Sequence, residues 1–390
     1  FTGYNAIFEE CPADTCHPII NENIIISRNN GATPAVSFGF GGYPTFKNNI
    51  VIDEGGTTLT GIFSGQKPGA IIKNNLIVNY KDQGILIGTV TNDTTFIYSN
   101  NISNVSGGGI QRGNIVIGTG DRTKVENNII KDGYRSYYNY NSQPLRVDYN
   151  LHWMLQEIIA GQPFIGDSNI IADPMFVKDS IPTVNSNYDY HLQKYSPAID
   201  KGNPDILDTD GTRSDIGMYG GPFGETYTYQ DLAPIAPRNL SAIVDTNNIT
   251  VRWNRNTEAD TAFYNVYRDT VINFTIDSTK LVSSSSDSFF VQVNPHINTK
   301  YVYKVTCVDN QGNESQQSQE LVVNITSVST DNYPMTISDY VLYQNHPNPF
   351  NPSTKIGYQL KERASVKLMV YDIKGELISV FVNKEQTAGY

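Results

Sequence analysis

Between Arg112 and Arg146, six bases (Arg112, Arg122, Lys124, Lys131, Arg135 and Arg146) stand against three acids, Asp121, Glu126 and Asp132. The whole of 1–160 holds 13 acids and 11 bases, so this section is distinctive. β-Elimination from a uronic acid needs a cation to neutralise the carboxylate and a base to take the ring proton. Arg112, Lys124 and Arg135 are the candidate cations, and Asp121 is the candidate acid–base group beside them. The same section reads GYRSYYNY. Tyr134, Tyr137, Tyr138 and Tyr140 are candidate substrate-binding residues, because a phenol ring offers a sugar a flat apolar face and a hydroxyl. The competing reading is a solvated turn that carries these side chains for no chemical purpose.

Hydrolysis would need two carboxylates flanking the scissile bond. Asp121 with Asp148, and Asp132 with Glu157, are available, but spacing singles out neither pair. His17 and His152 are possible general bases or structural histidines. The segment DTDGTRSD sets Asp208, Asp210 and Asp215 around a glycine turn, a donor set suited to Ca²⁺. Asp in such turns also caps its own backbone, and Gly211 falls too early for an EF-hand loop. Cys11 and Cys16 are close enough to pair in an oxidising compartment, whereas Cys307, within YVYKVTCVD, reads as a buried small hydrophobe.

The elements that must position these residues are β-strands. Asparagines followed by short apolar runs recur at Asn23, Asn49, Asn75, Asn101, Asn128 and Asn150, at gaps of 26, 26, 26, 27 and 22 residues. A fixed period of this size marks a stacked repeat. The runs between the asparagines are short, β-branched and glycine-punctuated, as in DQGILIGTV, with almost no helical periodicity. Each repeat is expected to be one coil of a right-handed parallel β-helix, with rungs about 4.8 Å apart. The asparagines would form a side-chain ladder along one bend and would tolerate the left-handed backbone that a bend requires. Coils are expected to end near residue 180. The segment 171–222, rich in turn formers, is expected to cap the last rung within a domain spanning 1–222.

The chain has 390 residues, with a net charge of −11 and a pI near 4.9, which argue against nucleic acid as a partner. No apolar run reaches the length of a membrane span, so no transmembrane segment is expected. The chain opens mid-pattern at Phe1, as a mature or truncated piece would.

The asparagine-punctuated coils resemble the pectate-lyase-like superfamily of parallel β-helices, which implies action on, or binding of, polysaccharide. APRNLSA, Trp253 in ITVRW, and TKYVYKVTCVDNQGNES make 234–324 resemble a fibronectin type III domain, with Trp253 as core tryptophan and Tyr301 as tyrosine-corner residue. NPFNPSTKI and VYDIKGE, within 338–390, resemble a type IX secretion C-terminal sorting domain. That likeness implies the type IX secretion machinery as a partner, and release from, or anchoring at, the outer-membrane surface of a bacterium. It also implies further strands beyond Tyr390, so the domain is expected to be incomplete. The expected fold class is all-β: a parallel β-helix, a fibronectin type III-like sandwich and a truncated small sandwich. Two functions remain open: a protein that binds and degrades polysaccharide as a lyase or glycosidase, and a non-enzymatic adhesin or binding scaffold.

Overall fold

The computed structural model describes residues 7–9, 16–28, 33–39, 43–65, 69–88, 94–106, 112–118, 123–140, 144–161, 164–166, 168–181, 187–245, 247–325, 340–345, 354–371 and 377–387. Its elements are all strands and the chain divides into two compact units, 1–325 and 326–390.

The first part of unit one is a parallel β-helix with three ladders. The first ladder stacks Ile19–Asn21, Thr45–Lys47, Ile71–Lys73, Phe96–Tyr98, Lys124–Glu126, Leu145–Asp148 and Phe164–Ile165 in parallel. The second runs from Ile24–Ser27 through Ile50–Asp53, Leu76–Val78 and Asn101–Val105. The third runs from Ile7–Glu9 through Val36–Phe38, Thr60–Ser64, Gln83–Ile87 and Gly113–Ile117. Two long strands, Ile129–Asn139 and Leu151–Gly161, cross the corner and belong to both the second and third ladders. Alternation sends one column of each ladder inward. Ile25, Val51, Ile77, Ile102 and Ile130 are register partners with 0% exposure, and so are Val36, Ile62, Ile85, Ile115 and Tyr137. Burial of each such aliphatic side chain stabilises the fold by about 2 kcal/mol.

The paired asparagines divide the work at the first bend. Asn48, Asn74 and Asn127 hold φ of 54°, 52° and 58°, and the residue after each turns its side chain into the column. That column is Asn23, Asn49, Asn75, Asn100, Asn128, Asn150 and Asn169, each amide donating to the side-chain oxygen of the next at 2.9–3.2 Å. At the fourth coil the ladder uses Asn100 rather than the expected Asn101, because Ser99 takes the left-handed position (φ 53°) there. Left-handed backbone therefore falls to the residue before each of the first six ladder asparagines, and four different residue types accept it.

The segment 173–223 follows a path different from that of an end cap. It lies along the outer face of the second ladder, where Phe176, Tyr190, Leu192, Ala198 and Ile216 pack on Leu76, Val78, Ile129 and Leu151 from three coils. The bend asparagines hold it there. Asn74 Nδ2 donates to the carbonyls of Met218 and Gly220 at 2.9 and 2.8 Å, and Asn127 Oδ1 accepts from Asn203 N at 2.7 Å. Asn101, displaced from the ladder, accepts from Met218 N at 3.1 Å.

Residues 241–325 form a two-sheet sandwich. One sheet orders Ser241–Val244, Asn248–Arg252 and Phe289–Val293; the other orders Leu281–Ser285, Thr261–Asp269, Thr299–Asp309 and Leu321–Ile325. Trp253 packs edge-on against Tyr264 at 5.4 Å in its core, and Tyr301 Oη accepts from His296 N at 2.9 Å, the hydrogen bond of a tyrosine corner. The sandwich meets the flank segment where Ala259 N donates to Met175 Sδ at 3.3 Å and Thr257 bonds Asp173. In unit two, Ala364–Tyr371 pairs antiparallel with Leu377–Gln386, and Val341–Leu342 with Tyr358–Gln359. Most of NPFNPSTKI and VYDIKGE lies outside the described residues.

Candidate functional site

The outer face of the third ladder carries five of the sequence-selected residues, Arg112, Tyr134, Arg135, Tyr138 and Tyr140. Arg135 and Glu157 are register partners on adjacent rungs, and the guanidinium reaches the carboxylate at 2.7 and 2.8 Å. Arg135 Nη1 also donates to the Arg112 carbonyl at 3.0 Å, across Gly113, which has no Cβ to occupy that space. The guanidinium carbon lies 5.3 Å from the ring centroids of both Tyr134 and Tyr138. Tyr140 tilts against Tyr138 at 4.8 Å, and burial together with Tyr138 pushes its phenol pKa up. Arg112 pairs with Asp82 at 3.2 Å. Three half-buried rings and one pinned guanidinium thus form a firm amphipathic surface.

Tyr137 does not belong to it. Ser136 and Tyr137 are both 0% exposed, and Tyr137 packs against Phe164 and His152. A core side chain cannot stack on a sugar. Arg135 has a side chain only 9% exposed, so it acts as a spacer between rings rather than as a cation facing substrate. Lys124 lies on the first ladder, over Phe96 at 5.8 Å, apart from Arg112 and Arg135. Asp121 and Arg122 fall outside the described residues. His152 occupies the inward column of the second ladder, 2% exposed, with Ser136 Oγ 2.9 Å from Nδ1 and Tyr137 Oη 3.4 Å from Nε2. Burial lowers its pKa to about 4, which suits a neutral structural imidazole rather than an accessible base.

The aspartates of DTDGTRSD serve backbone donors. Asp208 accepts from Gly221 N and Asp215 N, Asp210 caps Thr212, and Asp215 accepts from Asp200 N and Tyr229 Oη at 2.9 and 2.8 Å. Burial pushes Asp215 up to about 6. Among the described residues no group of three or more His, Cys, Asp or Glu is arranged to hold a metal ion, so the calcium expectation gives way to turn capping. Cys16 is disulfide-bonded, Cys307 is buried and free, and Cys11 lies outside the described residues.

No family model matches this chain. An amylopullulanase of Thermoanaerobacterium saccharolyticum is 31% identical over 121 residues, which are 28% of this chain and 9% of that protein. A Fn3-like protein from Clostridium thermocellum aligns at 26% identity over 25% of this chain and 98% of its own, with a TM-score of 0.21. A beta-1,2-glucanase from Parabacteroides distasonis aligns at 20% identity over 30% of this chain and 15% of its own, also with a TM-score of 0.21.

A second surface escaped the reading of the sequence. A shallow groove of about 490 Å³ runs along the outer face of the first ladder, lined by His17, Tyr43, Thr45, Ile71 and Phe96. His17 stacks on Tyr43 at 5.2 Å. The signal was present as the outward column Ile19, Thr45, Ile71, Phe96, Lys124 and Arg146, visible only once the register is known.

Proposed function

We propose that the β-helix is a glycan-binding module of an exported or cell-surface protein. The observation that carries this reading is the Arg135 guanidinium held between Tyr134 and Tyr138, with Tyr140 alongside. Aromatic faces spaced by a pinned cation stack on sugar rings at little cost in side-chain entropy, and each stacked ring adds roughly 1 kcal/mol. The amylopullulanase similarity supports a carbohydrate setting. The likeness of the coils to pectate-lyase-like β-helices supports a polysaccharide as ligand, and the likeness of 343–390 to a sorting domain supports export by the type IX route. Binding is favoured over elimination because the cation among the rings, Arg135, is 9% exposed and paired with Glu157, so it does not face a substrate carboxylate. The groove at Tyr43 and Phe96 is the second reading, favoured by its apolar lining across several coils.

The test is a panel of pectate, alginate, chondroitin and xylan with the full chain. Retention of the protein by one polymer, weakened by Tyr134→Ala and Tyr138→Ala but not by Tyr43→Ala and Phe96→Ala, supports the tyrosine surface. The reverse pattern moves the site to the groove. Unsaturated products absorbing in the ultraviolet, or new reducing ends, would replace a binder with a lyase or a glycosidase. For export, removal of 343–390 is expected to retain the protein inside a type IX-secreting host.

A further inference from the structure

Lys47 and Lys73 are register partners on adjacent rungs of the first ladder, so their side chains leave the same face one rung apart. Like charges directly opposite on neighbouring strands are destabilising. Their column continues with Asn21 on one side and Tyr98 on the other, neither of which carries a negative charge to offset them. Among the described residues neither ammonium lies in an ion pair, although Arg28, Arg112, Lys131, Arg135 and Arg146 each have one. Lys73 is nonetheless 6% exposed.

What covers the two lysines is a ring. Phe223, from the flank segment, places its centroid 3.2 Å from Lys73 Nζ and 5.1 Å from Lys47 Nζ, and Tyr98 stands 5.5 Å from Lys73 Nζ. A ring face offers each cation about 1–2 kcal/mol, less than an oxyanion would in the same half-buried place. Phe223 is itself 44% exposed, at the rim of the flank segment, so it can swing aside without opening a core.

We propose that Lys47 and Lys73 form a binding site for a single oxyanion (sulfate, phosphate or carboxylate), with Phe223 as a displaceable cover. The site lies on the first ladder and the tyrosine surface on the third, so the two stand or fall separately. Burial and the neighbouring Lys47 charge lower the Lys73 pKa to about 8, so an anion that needs both ammonium groups binds less well as pH rises past that value.

The experiment is calorimetric titration of the full chain with sodium sulfate, against sodium chloride at equal ionic strength. Saturable binding of sulfate is expected, reduced at least tenfold by Lys73→Met, reduced also by Lys47→Met, and retained or tightened by Phe223→Ala. Far-UV circular dichroism and the thermal midpoint check each variant's fold, and Lys47→Met, at a half-buried position, supplies the decisive variant if Lys73→Met unfolds. Wild-type affinity should fall between pH 7 and pH 9 (about a unit either side of the lowered lysine). Competition by chondroitin sulfate but not by unsulfated chondroitin would identify a glycan-borne group. Failure of both polymers to compete would identify a free ion as the ligand. The proposal is overturned if sulfate binding is absent in both wild type and Phe223→Ala, or if it is unchanged in a folded Lys47→Met and Lys73→Met pair.

Discussion

The side-chain oxygen of Asn75 accepts two hydrogen bonds from Asn49, one coil earlier, from its backbone N–H at 2.9 Å and from its amide at 3.1 Å. The Asn75 amide in turn serves the carbonyls of Phe46 and Lys73 and the oxygen of Asn100 at 3.0, 2.8 and 2.9 Å. One side chain thus satisfies buried polar groups on three coils. Each buried group left without a partner costs about 1–3 kcal/mol, so Asn75→Ala should destabilise the β-helix by roughly 4 kcal/mol or more. Asn101→Ala, outside the ladder, loses the bond from Met218 N and should cost about 1 kcal/mol. Urea midpoints of the two variants check the difference, and equal values would remove the ladder from the account.

His152 and Asp215 should oppose each other as the solution is acidified. The folded His152 pKa, about 4, lies below the ordinary value of 6.5, so its contribution is present above 6.5 and is lost as pH falls towards 4, by roughly 3 kcal/mol in all. The folded Asp215 pKa, about 6, lies above the ordinary 3.8, so this group favours the folded state more as pH falls from 6 towards 4. Wild-type stability should therefore change little between pH 6.5 and pH 4.5 on account of these two groups. Asp215→Asn should expose a loss on acidification and His152→Asn a gain, read from urea midpoints at the two pH values.

Cys307 lies in the sandwich core with 0% exposure, and burial pushes its thiol up to about 12. With Cys16 disulfide-bonded, the native protein should take up no iodoacetamide at neutral pH, and Cys307 should be alkylated in step with unfolding. Intact-mass spectrometry along a urea series checks this. Labelling of Cys307 below the unfolding transition would mean that the sandwich opens locally.

Glu157→Gln should loosen the tyrosine surface without unfolding the helix. The Arg135–Glu157 pair is partly exposed on the carboxylate side, so its loss should cost no more than about 1 kcal/mol of stability. Released from Glu157, Arg135 no longer holds Tyr134 and Tyr138 apart, and glycan affinity should fall a few-fold while the thermal midpoint barely moves.

Much of this was legible in the sequence, because a repeat writes the same physical demand many times. The period, the inward columns and the bend asparagines are local and recur every coil; Trp253 and Tyr301 answer equally local demands of a sandwich. Two misreadings have local causes. SNN at 99–101 looks like KNN at 47–49, but the bend falls on Ser99, which shifts the ladder to Asn100. All four tyrosines of GYRSYYNY read as surface candidates, but Tyr137 lies with Ser136 in the core at 0% exposure. The remaining surprises are non-local. The path of 173–223 along the second ladder depends on contacts such as Asn74 with Met218, and the cover of Phe223 over Lys47 and Lys73 depends on that path. No spacing within the chain encodes them.

The central claim is that tyrosines on the outer face of the third ladder bind a glycan, and affinity electrophoresis of wild type and Tyr138→Ala through gels containing each polysaccharide tests it most directly. The account predicts that one polysaccharide retards the wild type and that Tyr138→Ala, with an unchanged thermal midpoint, binds it about threefold to tenfold more weakly, the worth of one stacked ring. Equal retardation of the two proteins, or wild-type migration unaffected by every polysaccharide, would contradict it.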